Sequence, residues 1–233
     1  MKLKLIVTDS AIFFWRNLNQ IAFLCLPWLI TGALVEYVIV VNQEPPGDTP
    51  IYFAAWAFNL LVYPIYTAAL IQMMAQQAEG RRPGNRELFT LALKSWQSLL
   101  ILHLLGSLLA LFGLTLLVLP GIWIMVRLSF SEFYLVLENL NPIEAIRKSF
   151  IATRKHMLTI FLLILVFLFP VVIFSFLFGQ LIADIPQAEA IMAIAGTITS
   201  FYMLFVDVLI FRVFMSALKE EPGGPEASAP VKR

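Results

Sequence analysis

Six ionisable side chains lie within otherwise apolar stretches: Glu36, His103, Arg127, Glu132, Asp207 and Arg212. Charge in hydrocarbon is costly, so each is a functional candidate until a packing role explains it. At 1.5 Å per helical residue, Glu36 falls about 8 Å and Arg127 about 9 Å below one shared surface, so the two are expected to form an ion pair. The same count groups His103, Glu132 and Asp207 about 9–12 Å from the opposite surface. Three titratable groups in one layer have the chemistry of a proton or cation path. The plainer reading, preferred here, is hydrogen-bonded contact between helices, which is common and modest in energy. Arg212 lies near the end of its stretch and is expected to snorkel toward headgroups.

The elements that must position these residues are apolar stretches at approximately 18–41, 51–75, 97–118, 121–139, 157–182 and 190–215. Each approaches or exceeds the roughly 20 residues a spanning helix needs. The chain is 60% hydrophobic and 13% charged, against roughly 45–50% and about 25% in ordinary soluble domains. Such a chain cannot cover a water-facing surface with polar groups, so lipid must be its main solvent. The expected fold class is therefore all-α: a polytopic six-helix transmembrane bundle with short cytoplasmic amphipathic interfacial helices. A single membrane domain is expected over 1–219, followed by a disordered cytoplasmic tail at 220–233, where Pro222, Gly223, Gly224, Pro225 and Pro230 cluster.

Charge gives this bundle a direction. Fourteen of the sixteen Lys and Arg residues fall on one side by alternate-side counting, Arg127 and Arg212 excepted. The connections assigned to the other side, 42–50, 118–121 and 183–190, hold no Lys or Arg, but carry Glu44, Asp48, Asp184 and Glu189. Lys and Arg favour cytoplasmic loops, which predicts both termini in the cytoplasm and a bacterial plasma (inner) membrane location. Lys2 and Lys4 make a basic start, but Asp9 and Arg16 interrupt any apolar region, so no secretory signal is expected.

Two short segments have interfacial character. Residues 5–16 predict a helix anchored by Trp15 and Arg16, and a second is predicted from Asn141-Pro142-Ile143-Glu144. Asn as N-cap, Pro in the first turn and Glu three residues on all favour a start there. Glu144 is also placed to pair with Lys148 one turn later. Arg147, Lys148, Arg154 and Lys155 are candidate lipid-headgroup contacts, since juxtamembrane basic residues attract anionic phospholipid by about 1 kcal/mol each. A stretch with Leu88, Leu91 and Leu99 on one side precedes span three. Together these suggest three repeats of interfacial helix plus hairpin, the third and fourth spans being joined by a tight turn at Leu119-Pro120-Gly121.

Small residues, Gly106, Ala110 and Gly113 in span three and Ala193, Thr197 and Ser200 beside Gly196 in span six, are expected to let helices approach closely. They would also suit a homo-oligomer, although packing within one bundle is preferred. Pro27, Pro64 and Pro170 lie inside spans, as in the broken helices of transporters, and as in many ordinary membrane helices. Cys25, the one cysteine, is read as a small core hydrophobe. Phosphate-binding loops, His-Glu-x-x-His, Cys pairs and nucleophile elbows are absent from the sequence. No cofactor, metal or catalytic residue is therefore assigned, and the dispersed basic residues do not suggest nucleic acid.

Leu119-Pro120-Gly121-Ile122, then Glu138 and Asn141-Pro142-Ile143-Glu144-Ala145-Ile146-Arg147-Lys148-Ser149-Phe150, form a pattern that resembles the YciC-like family of bacterial inner-membrane proteins. It also resembles the related membrane domain fused to some glycerophosphodiester phosphodiesterases. The match covers about 119–156, and the fusion context implies phospholipid or envelope biology. The phosphodiesterase catalytic domain is missing here, so that activity is not implied. The expected function is a non-catalytic integral inner-membrane protein associated with lipid or with an envelope-protein partner. The alternative is a small-solute or ion transporter using the polar layer. An intramembrane enzyme ranks third.

Overall fold

The computed structural model describes residues 3–42, 49–182 and 184–220, which fold into helices without a strand among them. In chain order these are α1 (Leu3–Arg16), α2 (Leu18–Val41), α3 (Thr49–Ala78), α4 (Asn85–Leu116), α5 (Val118–Leu128), α6 (Ser131–Glu138), α7 (Pro142–Ala152), α8 (Met157–Ile182) and α9 (Ala188–Glu220). Among the described residues six stretches are long and apolar enough to cross a membrane: 18–41, 57–78, 85–116, 119–138, 157–182 and 188–220. The protein is an all-α, multi-pass membrane bundle. Glu44 and Asp48 and the expected tail beyond Glu220 lie outside the described residues.

The bundle has a basic end, where Arg16, Arg81 and Arg82 gather, and an acidic end, where Asp184 and Glu189 lie. At the basic end, α3 stops at Gly80, whose φ of 79° lets the chain leave the helix left-handed. The Arg81 amide then donates to the Gln76 carbonyl at 2.9 Å, closing the last turn. Gln20 holds this loop to α2, donating to the Pro83 carbonyl (3.0 Å) and Asn85 Oδ1 (3.1 Å) while accepting from Gln77 Nε2 (2.9 Å).

Two local expectations change and a third holds. The stretch around Leu88 and Leu91 is not a separate helix, because α4 continues unbroken from Asn85 to Leu116. No breaker separates the amphipathic part from the apolar part, so the second of the three suggested repeats has no hinge. The turn between the third and fourth spans sits at Leu117, which is extended (φ −167°, ψ 154°), rather than at 119–121. Pro120 and Gly121 belong to the first turn of α5, where a proline's missing N–H costs nothing. A Cβ on Gly113 would come within 2.9 Å of Gly121 Cα, so the close approach expected of Gly113 is real and its partner is Gly121.

The fourth span is itself broken at Ser129 and Phe130, between α5 and α6. After α6, Asn139 takes the left-handed conformation (φ 54°, ψ 37°) and turns the chain into α7, which packs back along α6 and α5. The core draws on most of the helices, and its aromatic part forms where Phe130 and α6 meet α9. Phe130, Phe133 and Tyr134 pack their rings against Phe214 at centroid distances of 5.4, 5.1 and 5.0 Å. The Phe130 and Tyr134 pairs are edge-to-face and the Phe133 pair is tilted; edge-to-face pairs add to simple area burial.

Candidate functional site

The polar layer assembles around Tyr63, a residue that sequence reasoning did not single out. Its hydroxyl donates to Glu132 (3.2 and 3.3 Å to the two oxygens), and its ring lies 4.4 Å from that of His103. His103 Nδ1 is 3.8 Å from Glu132 Oε1. Glu132 stands in the first turn of α6, a position created by the break in span four. Helix N-termini favour a carboxylate. Asp207 on α9 shares an electrostatic environment with Glu132, Tyr63 and Tyr66, but makes no hydrogen bond or ion pair among the described residues. His103 and Glu132 are thus brought together, with Asp207 beside them. The sequence signal that would have found Tyr63 is its spacing from Tyr66, three residues on and hence on the same face of span two.

Glu36 and Arg127 do not pair. Arg127 sits between the rings of Trp123 (5.4 Å) and Phe150 (5.3 Å), and its Nη1 donates to Thr153 Oγ1 at 3.3 Å. Glu36 lines a cavity at the acidic end. Matching depths were not enough, because α5 turns its arginine toward α7 rather than toward α2. The same junction explains how the break in span four is tolerated. Ser149 Oγ donates to the Arg127 carbonyl (2.6 Å) and accepts from the Phe130 amide (3.1 Å), so one buried hydroxyl serves two of the freed backbone groups, while Ser131 Oγ donates to a third, the Leu128 carbonyl (2.6 Å). Thr153 in turn donates to the Ser149 carbonyl at 2.7 Å.

The α7 cap forms as expected, with the Glu144 amide donating to Asn141 Oδ1 at 2.9 Å. Lys148, however, bonds Glu138 (2.6 and 2.7 Å) and lies 4.5 Å over the Tyr134 ring, instead of pairing with Glu144. Ala145 and Ser149 are buried, Ile146 and Phe150 half-buried, while Ile143, Arg147, Arg154 and Lys155 are exposed. Of the four expected headgroup contacts, Lys148 is therefore engaged within the protein.

A cavity of about 740 Å³ opens at the basic end between α1, the α3–α4 loop and α9. Arg16, Arg81, Arg82 and Arg212 line it, with Asp9 as the one acidic residue in its wall. Arg212 lies 5.3 Å over the Phe13 ring, so it joins this cavity instead of simply reaching for the surface. Sequence reasoning missed this convergence, since its arginines come from three distant segments. A second cavity, about 610 Å³, lies at the acidic end among α2, α3, α8 and α9. Glu36 and Glu189 line it, and Tyr66 contributes near the polar layer. Ala193, Gly196, Thr197 and Ser200 form its α9 wall, and a Cβ on Gly196 would meet nothing within 4 Å. The stripe expected to bring helices together instead leaves space here. Among the described residues, no group of three or more His, Cys, Asp and Glu is arranged to hold a metal ion.

A bundle of six spans holding a polar layer, with a charged cavity toward each end, defines a polytopic α-helical membrane protein. Residues 88–219 match the family described as "Domain of unknown function (DUF7847)", and the chain belongs to that family. The match runs from the first turns of α4 to the last turn of α9, covering the broken span, the Ser149 junction and three of the polar-layer residues: His103, Glu132 and Asp207. No curated protein matches the chain, and no solved structure does.

Proposed function

We propose that this chain is a non-catalytic, lipid-associated integral protein of the bacterial plasma membrane, with its basic end and both termini in the cytoplasm, and that it is YciC-like. The observation that carries the reading is the basic-end cavity, whose wall holds four arginines, Arg81 among them paired with Glu79, and one carboxylate, Asp9. Arginine forks match phosphate oxygens in pairs, and a juxtamembrane arginine cluster attracts anionic lipid. Arg147, Arg154 and Lys155 add exposed positive charge at the same end, as secondary contacts. Anionic lipid retained by the purified protein, counted by mass spectrometry, tests the reading. An Arg16/Arg82/Arg212→Gln variant should lose most of it, and an Arg147/Lys148/Arg154/Lys155→Gln variant less. Unchanged retention in both would remove the lipid reading.

One arrangement favours a second reading, ion or proton transport. Tyr66 lines the acidic-end cavity and lies 5.5 Å from Tyr63, which donates to Glu132. A polar route from the cavity would then continue through protonatable groups. Glu132→Gln and Asp207→Asn in proteoliposomes should each abolish any pH-gradient-driven flux. Absence of flux in the unaltered protein would leave the lipid reading alone.

A further inference from the structure

The charge balance of the basic-end cavity narrows the ligand beyond anionic lipid in general. Arg81 is already paired with Glu79, both side chains lying well exposed (60% and 62%). Arg16, Arg82 and Arg212 have no carboxylate within ion-pair distance among the described residues, and Asp9 is the acid in the wall. Three unpaired guanidinium groups against one carboxylate leave a surplus of two positive charges.

The amides nearby are largely committed to the fold. Asn17 Nδ2 donates to the Phe13 carbonyl at 2.8 Å, and Gln77 and Gln20 are joined to each other and to the α3–α4 loop. The cavity's frame is therefore held independently of any ligand, while its charge is left over. Ile12, Met74, Val208 and Phe211 supply an apolar wall, which suits a glycerol or acyl portion rather than a fully hydrated ion.

Resting on the lipid reading above, we infer that this cavity is a site for a phosphate monoester dianion, carried on a lipid head or on a small soluble molecule. A phosphate monoester near neutral pH carries close to two negative charges and three terminal oxygens, which balances the surplus. A phosphodiester head carries one negative charge and leaves one guanidinium unanswered. A charge-assisted hydrogen bond contributes enough for its loss to weaken binding by about tenfold or more.

The full-length protein in nanodiscs of neutral lipid can be titrated with phosphatidic acid and with phosphatidylglycerol of matched chains. Glycerol 3-phosphate serves as the soluble arm. Phosphatidic acid should bind about tenfold tighter than phosphatidylglycerol. That preference should fall in Arg82→Gln and Arg212→Gln, be partly kept in Arg82→Lys, and persist in Lys94→Gln. Melting temperature of each variant separates lost binding from lost folding. Stronger binding of phosphatidic acid than of glycerol 3-phosphate identifies the lipid source; equal binding identifies a soluble phosphomonoester and removes the lipid reading. Equal binding of the two lipids, with both still weakened by the arginine variants, would overturn the monoester inference while leaving the lipid reading intact. Lipid binding insensitive to every arginine variant would overturn both.

Discussion

Along α9, the half near the basic end carries Leu204, Val208, Phe211 and Phe214 and buries them, whereas the half near the acidic end carries Ala193, Gly196, Thr197 and Ser200 along a cavity. The neighbours follow the same division. Tyr134 and Phe130 fill the space beside Phe214, while Gly32 and Ala33 of α2 line the opposite side of the cavity. In water an unfilled apolar space would favour collapse. In lipid there is no such drive, since acyl chains are as apolar as Leu, and van der Waals fit decides which helices hold together. Large interlocking rings therefore mark where this bundle is fixed, and small residues beside charges mark where it is left open.

That contrast breaks most visibly at Phe214. Phe214→Ala removes a ring that touches four others and is fully buried, and should cost about 3–5 kcal/mol. Phe176 lies on α8, a span that buries little of itself in the bundle, and is 66% exposed, so Phe176→Ala should cost far less. Thermal unfolding in one detergent, followed by tryptophan fluorescence, compares them. Equal losses would mean that packing at the α6–α9 contact does not fix the bundle.

The Ser149 junction should give the next largest effect. Ser149→Ala strands the Arg127 carbonyl and the Phe130 amide in a buried place, at about 1–3 kcal/mol for each unsatisfied group. Ser129→Ala is the control, since the Ser129 hydroxyl bonds the Met125 carbonyl of its own helix. A Ser149→Ala melting temperature no lower than that of Ser129→Ala would show that the break is satisfied by other means. His103 and Glu132 should also lose their contact in Ser149→Ala, because Glu132 depends on α6 starting where it does.

How much of this was legible in the sequence depends on range. The spans were readable because twenty apolar residues in a row say the same thing wherever they lie. The α7 cap was readable because Asn141, Pro142 and Glu144 act on one another within a single turn. The break in span four was not, since Ser129-Phe130 is no breaker and the hydroxyl that satisfies it comes from nineteen residues further on. Depth counting brought Glu132 to His103, yet misplaced Arg127, because depth says nothing of which way a helix face turns. The basic-end cavity was invisible for a similar reason: Arg16, Arg82 and Arg212 meet only once α1, the α3–α4 loop and α9 are folded together.

The smallest effect separates two glycines that look alike in sequence. At Gly121 a Cβ would come within 2.9 Å of the Leu114 amide nitrogen, a backbone atom that cannot swing aside. Gly121→Ala must push α5 away from α4, and overpacking of this kind costs about 1–3 kcal/mol. At Gly196 the same methyl would enter open space in the acidic-end cavity. Gly196→Ala removes a flexible residue from a helix interior without a clash, so it should raise stability by roughly 0.5–1 kcal/mol. The two substitutions add the same atoms, so the sign of their difference in melting temperature reports chiefly the space each side chain meets. A fall at Gly196 comparable to that at Gly121 would mean that the acidic-end cavity is closed in the membrane, and the division between a fixed half and an open half of α9 would go with it.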